Sequence, residues 1–169
     1  MLNTLLGNTD RVPYYTRTQL TALVLLRIIV GWHFLYEGIA KIISTHWTSA
    51  AYLGESKWIF SGIFIWMAAN PTILRIIDLM NMWGLTAIGL GLIAGCLTRP
   101  AGIAAILLLV LYYVANPPFI GYTYTLPNEG HYLIVNKNLV ELCALIVLTV
   151  FPTGTIIGID RLLFVRKNA

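Results

Sequence analysis

The sequence predicts an all-α membrane protein: a four-transmembrane-helix bundle with an additional short interfacial or re-entrant helix in the first outer loop. Three observations predict this fold class. Hydrophobic residues make up 58% of the chain and charged residues only 11%, whereas a soluble domain carries about 25% charged residues. Four apolar segments can cross a bilayer, and polar, Pro- or Gly-containing stretches separate them. This composition excludes a soluble enzyme, a disordered tail and a nucleic-acid-binding protein.

The four spans belong to one predicted domain, residues 1–169. Their boundaries are 20–43, 76–96, 101–115 and 139–151. The second and third spans form a helical hairpin, because Thr98-Arg99-Pro100 puts a charge and a helix breaker between two apolar runs. The apolar run 58–69 is too short to cross a bilayer, so it is predicted to form the interfacial or re-entrant helix.

The distribution of Lys and Arg predicts the orientation of the spans. More of these residues flank the termini and the 96–101 turn than flank the two long loops. The positive-inside rule then places both termini, including the tail 155–169, in the cytoplasm and both long loops outside. We therefore expect a multi-pass protein of a bacterial-type cytoplasmic (inner) membrane.

Ionisable side chains follow one edge of the first span. His33, Glu37 and Lys41 form an i, i+4, i+8 row. A charge at the bilayer centre costs a few kcal/mol, so these side chains are expected to face protein rather than lipid. Two interpretations stay open. The row is either an ion-pair cluster that fixes helix packing, or a polar pocket that binds a ligand or moves protons.

Small residues accompany this row on the first span. Gly31 and Gly38 share a stripe with Arg27. Glycines on a spanning helix let another helix approach closely. We therefore assign Gly31 and Gly38 structural roles and expect Arg27 to point into the bundle.

Glu141 opens the fourth span and has two interpretations. With Asn138 it has the spacing of a capping box, in which case it satisfies amides at the helix end. Otherwise it lies one turn below the outer surface and joins the polar row of the first span. In that second case Glu37, Glu141 and His33 are the candidate catalytic residues, with proton affinities set by opposed charges.

The outer loops are rich in aromatic residues, which either anchor the loops at the interface or wall a cleft for a flat apolar ring such as a quinone. The candidate substrate- or quinone-binding residues are Arg27, Lys41, Trp32, Tyr36, Trp58 and His131. No metal or haem is expected, because only His33 among the three histidines lies within a span.

Three short motifs resemble the DoxX family, and within it the DoxD-like branch. They are the Arg, Gly and Gly-x-x-Lys pattern within 26–41, the Gly-x-x-Thr-Arg turn within 95–101, and the polar stretch 130–138 before the fourth span. The residues that match the shared pattern are Arg27, Gly31, Gly38, Lys41, Thr98 and Arg99. The resemblance implies that they are architectural as much as catalytic; from the residues alone, Arg99 is an anchor that caps the carbonyls ending the second span.

The resemblance also implies a compact four-helix bundle and a chemistry. Some members of the family are subunits of a thiosulfate:quinone oxidoreductase, which joins two thiosulfates into tetrathionate and reduces a quinone. The expected function is therefore a quinone-linked redox membrane subunit. Its partners would be the lipid bilayer, a membrane quinone, a small anionic sulfur substrate, and a protein partner or a second copy of the chain, with no nucleic acid. The alternatives are a non-enzymatic scaffold or assembly partner of a redox or secretion complex, and a small transporter.

Overall fold

The computed structural model describes residues 15–125 and 133–165. Within these ranges the regular structure is helical and no β-strand is found, which confirms the predicted all-α class. The elements in chain order are α1 (Arg17–Ile43), α2 (Ala50–Gly54), α3 (Ser61–Ala69), α4 (Pro71–Ala94), α5 (Thr98–Ala115), α6 (Lys137–Val150) and a π-helical turn (Arg161–Val165).

Three helices, α1, α4 and α5, are long and apolar enough to cross a membrane. They contain 27, 24 and 18 residues. The chain therefore has the features of a multi-pass membrane protein. The predicted fourth span, 139–151, corresponds to α6, which has only 14 residues. At 1.5 Å per residue α6 is about 21 Å long, shorter than the hydrocarbon core of about 30 Å.

Helices α1 and α4 pack closely through glycines. A methyl group at Gly31 would lie 3.0 Å from the Leu92 side chain, and one at Gly89 would lie 2.7 Å from the Gly31 carbonyl oxygen. A methyl group at Gly38 would overlap Thr86. The prediction that Gly31 and Gly38 admit another helix is confirmed, and that helix is α4.

Helices α5 and α6 form the other closely packed pair, and a single core joins the two pairs. Gly102 on α5 lies directly against Thr149 on α6. The shared core consists of buried apolar side chains from α1, α4, α5 and α6. Its most buried members include Phe34, Leu92 and Leu145.

The turn between α4 and α5 begins earlier than the sequence indicates. Gly95 ends α4 with φ +65°, and Leu97 precedes α5 with φ +49°. Thr98, Arg99 and Pro100 form the first turn of α5. Proline is accepted there because the first amides of a helix have no partner within the helix. The helix breaker therefore starts α5 and does not separate the two helices.

The first long loop contains two short helices. The predicted short helix at 58–69 is found as α3, while α2 was not predicted. Both pack together, and their buried side chains Leu53 and Phe64 meet Ala115 at the end of α5. This packing places α2 and α3 over the end of the bundle where α1 and α5 finish.

Candidate functional site

A cavity of about 510 Å³ lies between α2, α3 and the bundle. Its walls are mainly apolar and aromatic, and the aromatic side chains that line it are Trp47, Tyr52, Phe64 and Tyr112. We call it the large cavity. Ligand pockets in proteins are typically about 300–1,000 Å³, mostly apolar and equipped with a few convergent polar groups.

Short hydrogen bonds fix the wall that α2 contributes. The Ser49 amide and hydroxyl both donate to one Asp78 carboxylate oxygen, at 2.8 and 2.5 Å. The Ser56 hydroxyl donates to the Ala115 carbonyl at 2.6 Å. These bonds join the loop to α4 and α5 and so fix this wall of the large cavity.

One edge of the large cavity carries an ion pair from α1. Lys41 Nζ lies 2.5 Å from Glu37 Oε2, and the two residues are one helical turn apart. Lys41 also sits over the Trp47 ring, 5.5 Å from its centroid. An ammonium group over an indole face is a favourable cation–π arrangement. The pair brings a charged donor and a carboxylate to a mainly apolar pocket.

A second ionisable pair lies beside the first. His33 Nδ1 on α1 and Glu141 Oε1 on α6 are 2.6 Å apart. Both line a smaller cavity of about 160 Å³, which we call the small cavity. Glu37, Lys41 and Tyr112 line both cavities. The structure therefore brings all three candidate catalytic residues together around one connected polar region.

The alternative role for Glu141, as part of a capping box with Asn138, is wrong. The N-cap of α6 is Asn136, and its side chain accepts a hydrogen bond from the Leu139 amide at 3.0 Å. Glu141 is therefore beyond the capping positions, and its carboxylate is directed to His33 on α1.

Two polar side chains in the large cavity were not identified from the sequence. Asn81 on α4 is 8% exposed and Tyr112 on α5 lies next to it. The Asn81 side-chain oxygen is buried without a hydrogen-bond partner among the described residues. The sequence signal that could have identified Asn81 is a lone asparagine in the middle of an apolar span, which by default marks a functional or packing site.

Tyr52 belongs to the same wall and comes from α2. Its hydroxyl donates to the Tyr112 backbone carbonyl at 2.8 Å, and the two rings meet edge to face at 5.9 Å. Burial raises the pKa of Tyr52 well above its ordinary value, so this phenol stays protonated. It acts as a fixed hydrogen-bond donor that joins α2 to α5.

The remaining candidate binding residues lie elsewhere or outside the described residues. Trp32 and Tyr36 are 61% and 62% exposed on α1 and do not line either cavity. Trp58 packs edge to face against Phe119, with 5.3 Å between ring centroids. His131 lies outside the residues that the structure describes.

Arg27 is buried at the opposite end of α1, about 21 Å along the helix from Lys41. Its Nη1 donates to Thr153 Oγ1 at 2.9 Å, and its Nη2 donates to the Ile157 carbonyl at 2.8 Å. The expectation that Arg27 points into the bundle is confirmed. The structure does not bring it to the two cavities, and its contacts are those of a packing residue.

Asp160 completes the cluster around Arg27. Its carboxylate accepts hydrogen bonds from the Leu97 amide at 2.6 Å, the Thr98 amide at 3.0 Å and the Thr98 hydroxyl at 2.7 Å. This caps the first turn of α5. Arg27, Thr98, Thr153 and Asp160, here called the Arg27–Asp160 cluster, therefore join α1, α5 and the C-terminal segment. Arg99, predicted to cap carbonyls, is exposed beside this cluster.

Comparisons with family models, curated proteins and solved structures found no match. The functional assignment therefore depends on the two cavities and the ionisable pairs that line them.

Proposed function

We propose that the protein is a quinone-linked redox subunit of a membrane and that the large cavity holds the quinone ring. The observation that carries this proposal is the combination of apolar and aromatic walls with the Lys41–Glu37 pair at one edge. Pockets for flat apolar rings need this combination, because the walls bury the ring while a few polar groups orient its oxygens.

The residues of the large cavity fit such a ring. Trp47 and Phe64 supply aromatic surface, and Lys41 supplies an ammonium donor that can reach a ring oxygen from the cavity edge. A hydrogen bond from a charged donor favours an oxygen that gains negative charge. When bound, the quinone supplies a two-electron, two-proton acceptor, and the electrons would come from joining two thiosulfate ions into tetrathionate.

The ionisable pairs supply the protons in this proposal. Glu37 lines both cavities, and His33 with Glu141 lines the small cavity next to it. Glu37, a carboxylate in its pair with Lys41, would take up a proton through the His33–Glu141 pair and pass it to a ring oxygen. Both pairs join an acid to a base at 2.6 Å or less, which is within the distance for direct proton transfer.

The same proposal includes the membrane arrangement. Four helices form the bundle, in a bacterial-type inner membrane with both termini in the cytoplasm. The support for a fourth crossing is that Glu141 pairs with α1 near the large cavity, whereas Asp160 caps α5 at the other end. The chain between them therefore covers the length of α5 although only part of it is helical.

The E37Q variant tests the function. In membranes or nanodiscs supplied with thiosulfate and a short-chain quinone, we expect E37Q to reduce the quinone at least about 100-fold more slowly than the wild type, because an amide cannot relay a proton. Glu55 offers the matched control: it lies outside both cavities and bonds to Thr125. E55Q should keep wild-type turnover.

Two outcomes would contradict the proposal. Full turnover in E37Q would remove Glu37 from the mechanism. Absence of quinone reduction by the wild type, whichever reduced sulfur donor is supplied, would remove the redox function itself.

A second candidate function, a membrane scaffold or assembly partner, is favoured by α3. Only Phe64 of this helix is buried, while Ile63 and Trp66 are 51% and 56% exposed. A photo-crosslinker at Trp66 in native membranes should then trap another protein. The same probe at Leu107, an exposed residue of α5, gives the lipid-facing control. If both positions crosslink only lipid, the scaffold function is contradicted.

A further inference from the structure

The large cavity contains a hydrogen-bond acceptor that nothing in the described chain uses. Asn81 lines this cavity from α4 and is 8% exposed. Its Oδ1 atom is buried and receives no hydrogen bond from any residue that the structure describes. A buried acceptor left without a donor is unfavourable, and nearly all such groups in folded proteins have a partner.

The groups around Asn81 do not supply the missing donor. Tyr112, its polar neighbour, is hydrogen-bonded to the Asn81 side chain, yet the Asn81 Oδ1 atom itself receives no donor from the described residues. The Tyr52 hydroxyl, also in the cavity wall, already donates a hydrogen bond to the Tyr112 carbonyl. The Ser49 hydroxyl already donates a hydrogen bond to the Asp78 carboxylate. The Tyr52 and Ser49 hydroxyls of this wall are therefore used elsewhere.

We propose that Asn81 accepts a hydrogen bond from a ring hydroxyl of the molecule bound in the large cavity, so that the cavity prefers hydroxyl-bearing aromatic rings. This inference rests on the proposed function, since it names the form of the ligand that the same cavity favours. A hydroquinone carries the hydroxyl donor, whereas the corresponding quinone carbonyl offers only an acceptor and cannot satisfy Asn81. The site thus binds the reduced ring more tightly than an equivalent ring without a donor.

A matched pair of ligands tests this preference without any turnover. The probes are a short-chain hydroquinone and its di-O-methyl ether, which keeps the ring and the oxygens but has no donor. Binding is measured by anaerobic equilibrium dialysis against the full-length protein in nanodiscs, with empty nanodiscs subtracted. We expect the wild type to bind the hydroquinone about tenfold more tightly than the ether, the effect of one satisfied buried acceptor.

Three variants assign the preference to Asn81. N81L removes the acceptor and keeps a similar volume, so it should bind the two ligands with nearly equal affinity. T86V is the control, because Thr86 lies on α4 outside both cavities and its hydroxyl donates a hydrogen bond to the Met82 backbone carbonyl. T86V should keep the tenfold preference, and so should Y112F, which leaves the Asn81 oxygen in place.

Each other outcome overturns the inference. Equal affinities in the wild type mean that water satisfies Asn81, and this result stands even if N81L fails to fold. A preference that persists in N81L, or that disappears in Y112F alone, shows that another group of the protein accepts the ring hydroxyl. If the wild type binds neither ring, the inference fails together with the ring-binding cavity. Failure of the redox function alone would appear as absent turnover with the hydroxyl preference intact.

Discussion

The two ends of the helix bundle treat their polar side chains differently. In the Arg27–Asp160 cluster, polar groups from distant parts of the chain bond to one another and leave no cavity among those described. Around the large cavity, the ionisable groups pair at the edge, and Asn81 keeps a buried oxygen without a partner. Arg27 Nε is also buried without a partner among the described residues, but Arg27 lines neither cavity, whereas the unpartnered Asn81 oxygen belongs to a residue that lines the large cavity. This difference separates structural polar residues from candidate functional ones.

The largest expected effect comes from breaking the Arg27–Asp160 cluster. D160A removes the acceptor of three hydrogen bonds and the carboxylate whose charge acts on buried Arg27. We expect the free energy of unfolding in detergent to fall by about 3 kcal/mol. Thermal or denaturant unfolding measures the change. Arg99 is exposed in the same turn, so R99A provides the control and should be near wild type; equal losses in both variants would contradict the assigned role of Asp160.

The next largest effect is expected at the cavity end of the bundle. E141A removes the partner of His33 Nδ1 in a partly exposed pair. We expect a loss of about 1.5 kcal/mol in the same unfolding assay, half the effect of D160A. E141Q keeps an acceptor oxygen and should recover most of it. A loss in E141A as large as that in D160A would mean that the His33–Glu141 pair is a packing element like the Arg27–Asp160 cluster.

A smaller effect is expected in the wall between α2 and α5. Y52F removes one hydrogen bond, from the Tyr52 hydroxyl to the Tyr112 carbonyl, and keeps the edge-to-face ring contact. The expected loss is about 1 kcal/mol. Y36F removes the hydroxyl of an exposed tyrosine on α1 and should leave stability unchanged. If Y52F and Y36F are equally stable, the wall does not depend on this bond.

The smallest effect on stability is expected at the Lys41–Glu37 pair. The Glu37 side chain is 44% exposed, and such ion pairs contribute little to stability. K41M should therefore change the free energy of unfolding by less than about 0.5 kcal/mol while lowering quinone turnover. A large loss of stability would favour the ion-pair interpretation of the α1 row over the functional one.

Much of the bundle was predictable, because the decisive signals are local. The apolar lengths predict α1, α4 and α5, and the glycine stripe on α1 predicts its close contact with another helix, which is α4. The meeting of His33 with Glu141 followed from topology, since both were placed at the same depth near the long loops. The separation of Arg27 from Lys41 was also predictable, because the helix rise alone places the two residues about 21 Å apart and excludes a shared pocket.

The large cavity was not predictable, because it depends on contacts between distant segments. Asn81 looks like any polar residue in a span until α2 and α3 fold over the bundle and enclose it. That folding depends on the bonds from Ser49 to Asp78 and from Ser56 to Ala115, which no periodicity reveals. Tyr112 likewise gains its role only from the neighbours that the fold gives it.

The pairing of α1 with the far end of the chain has a consequence for biosynthesis. The hydrogen-bond partner of His33 lies 108 positions downstream, and the Thr153 partner of Arg27 lies 126 positions downstream. At a synthesis rate of about 5–20 residues per second, the first helix is complete roughly 5–25 s before its partners emerge. During that interval Arg27 and His33 lack their partners, whereas Glu37 and Lys41 can already pair within α1. We therefore expect the first helix to insert more readily when a polar environment, such as the interior of the translocation machinery, surrounds Arg27 and His33 until the later segments are made.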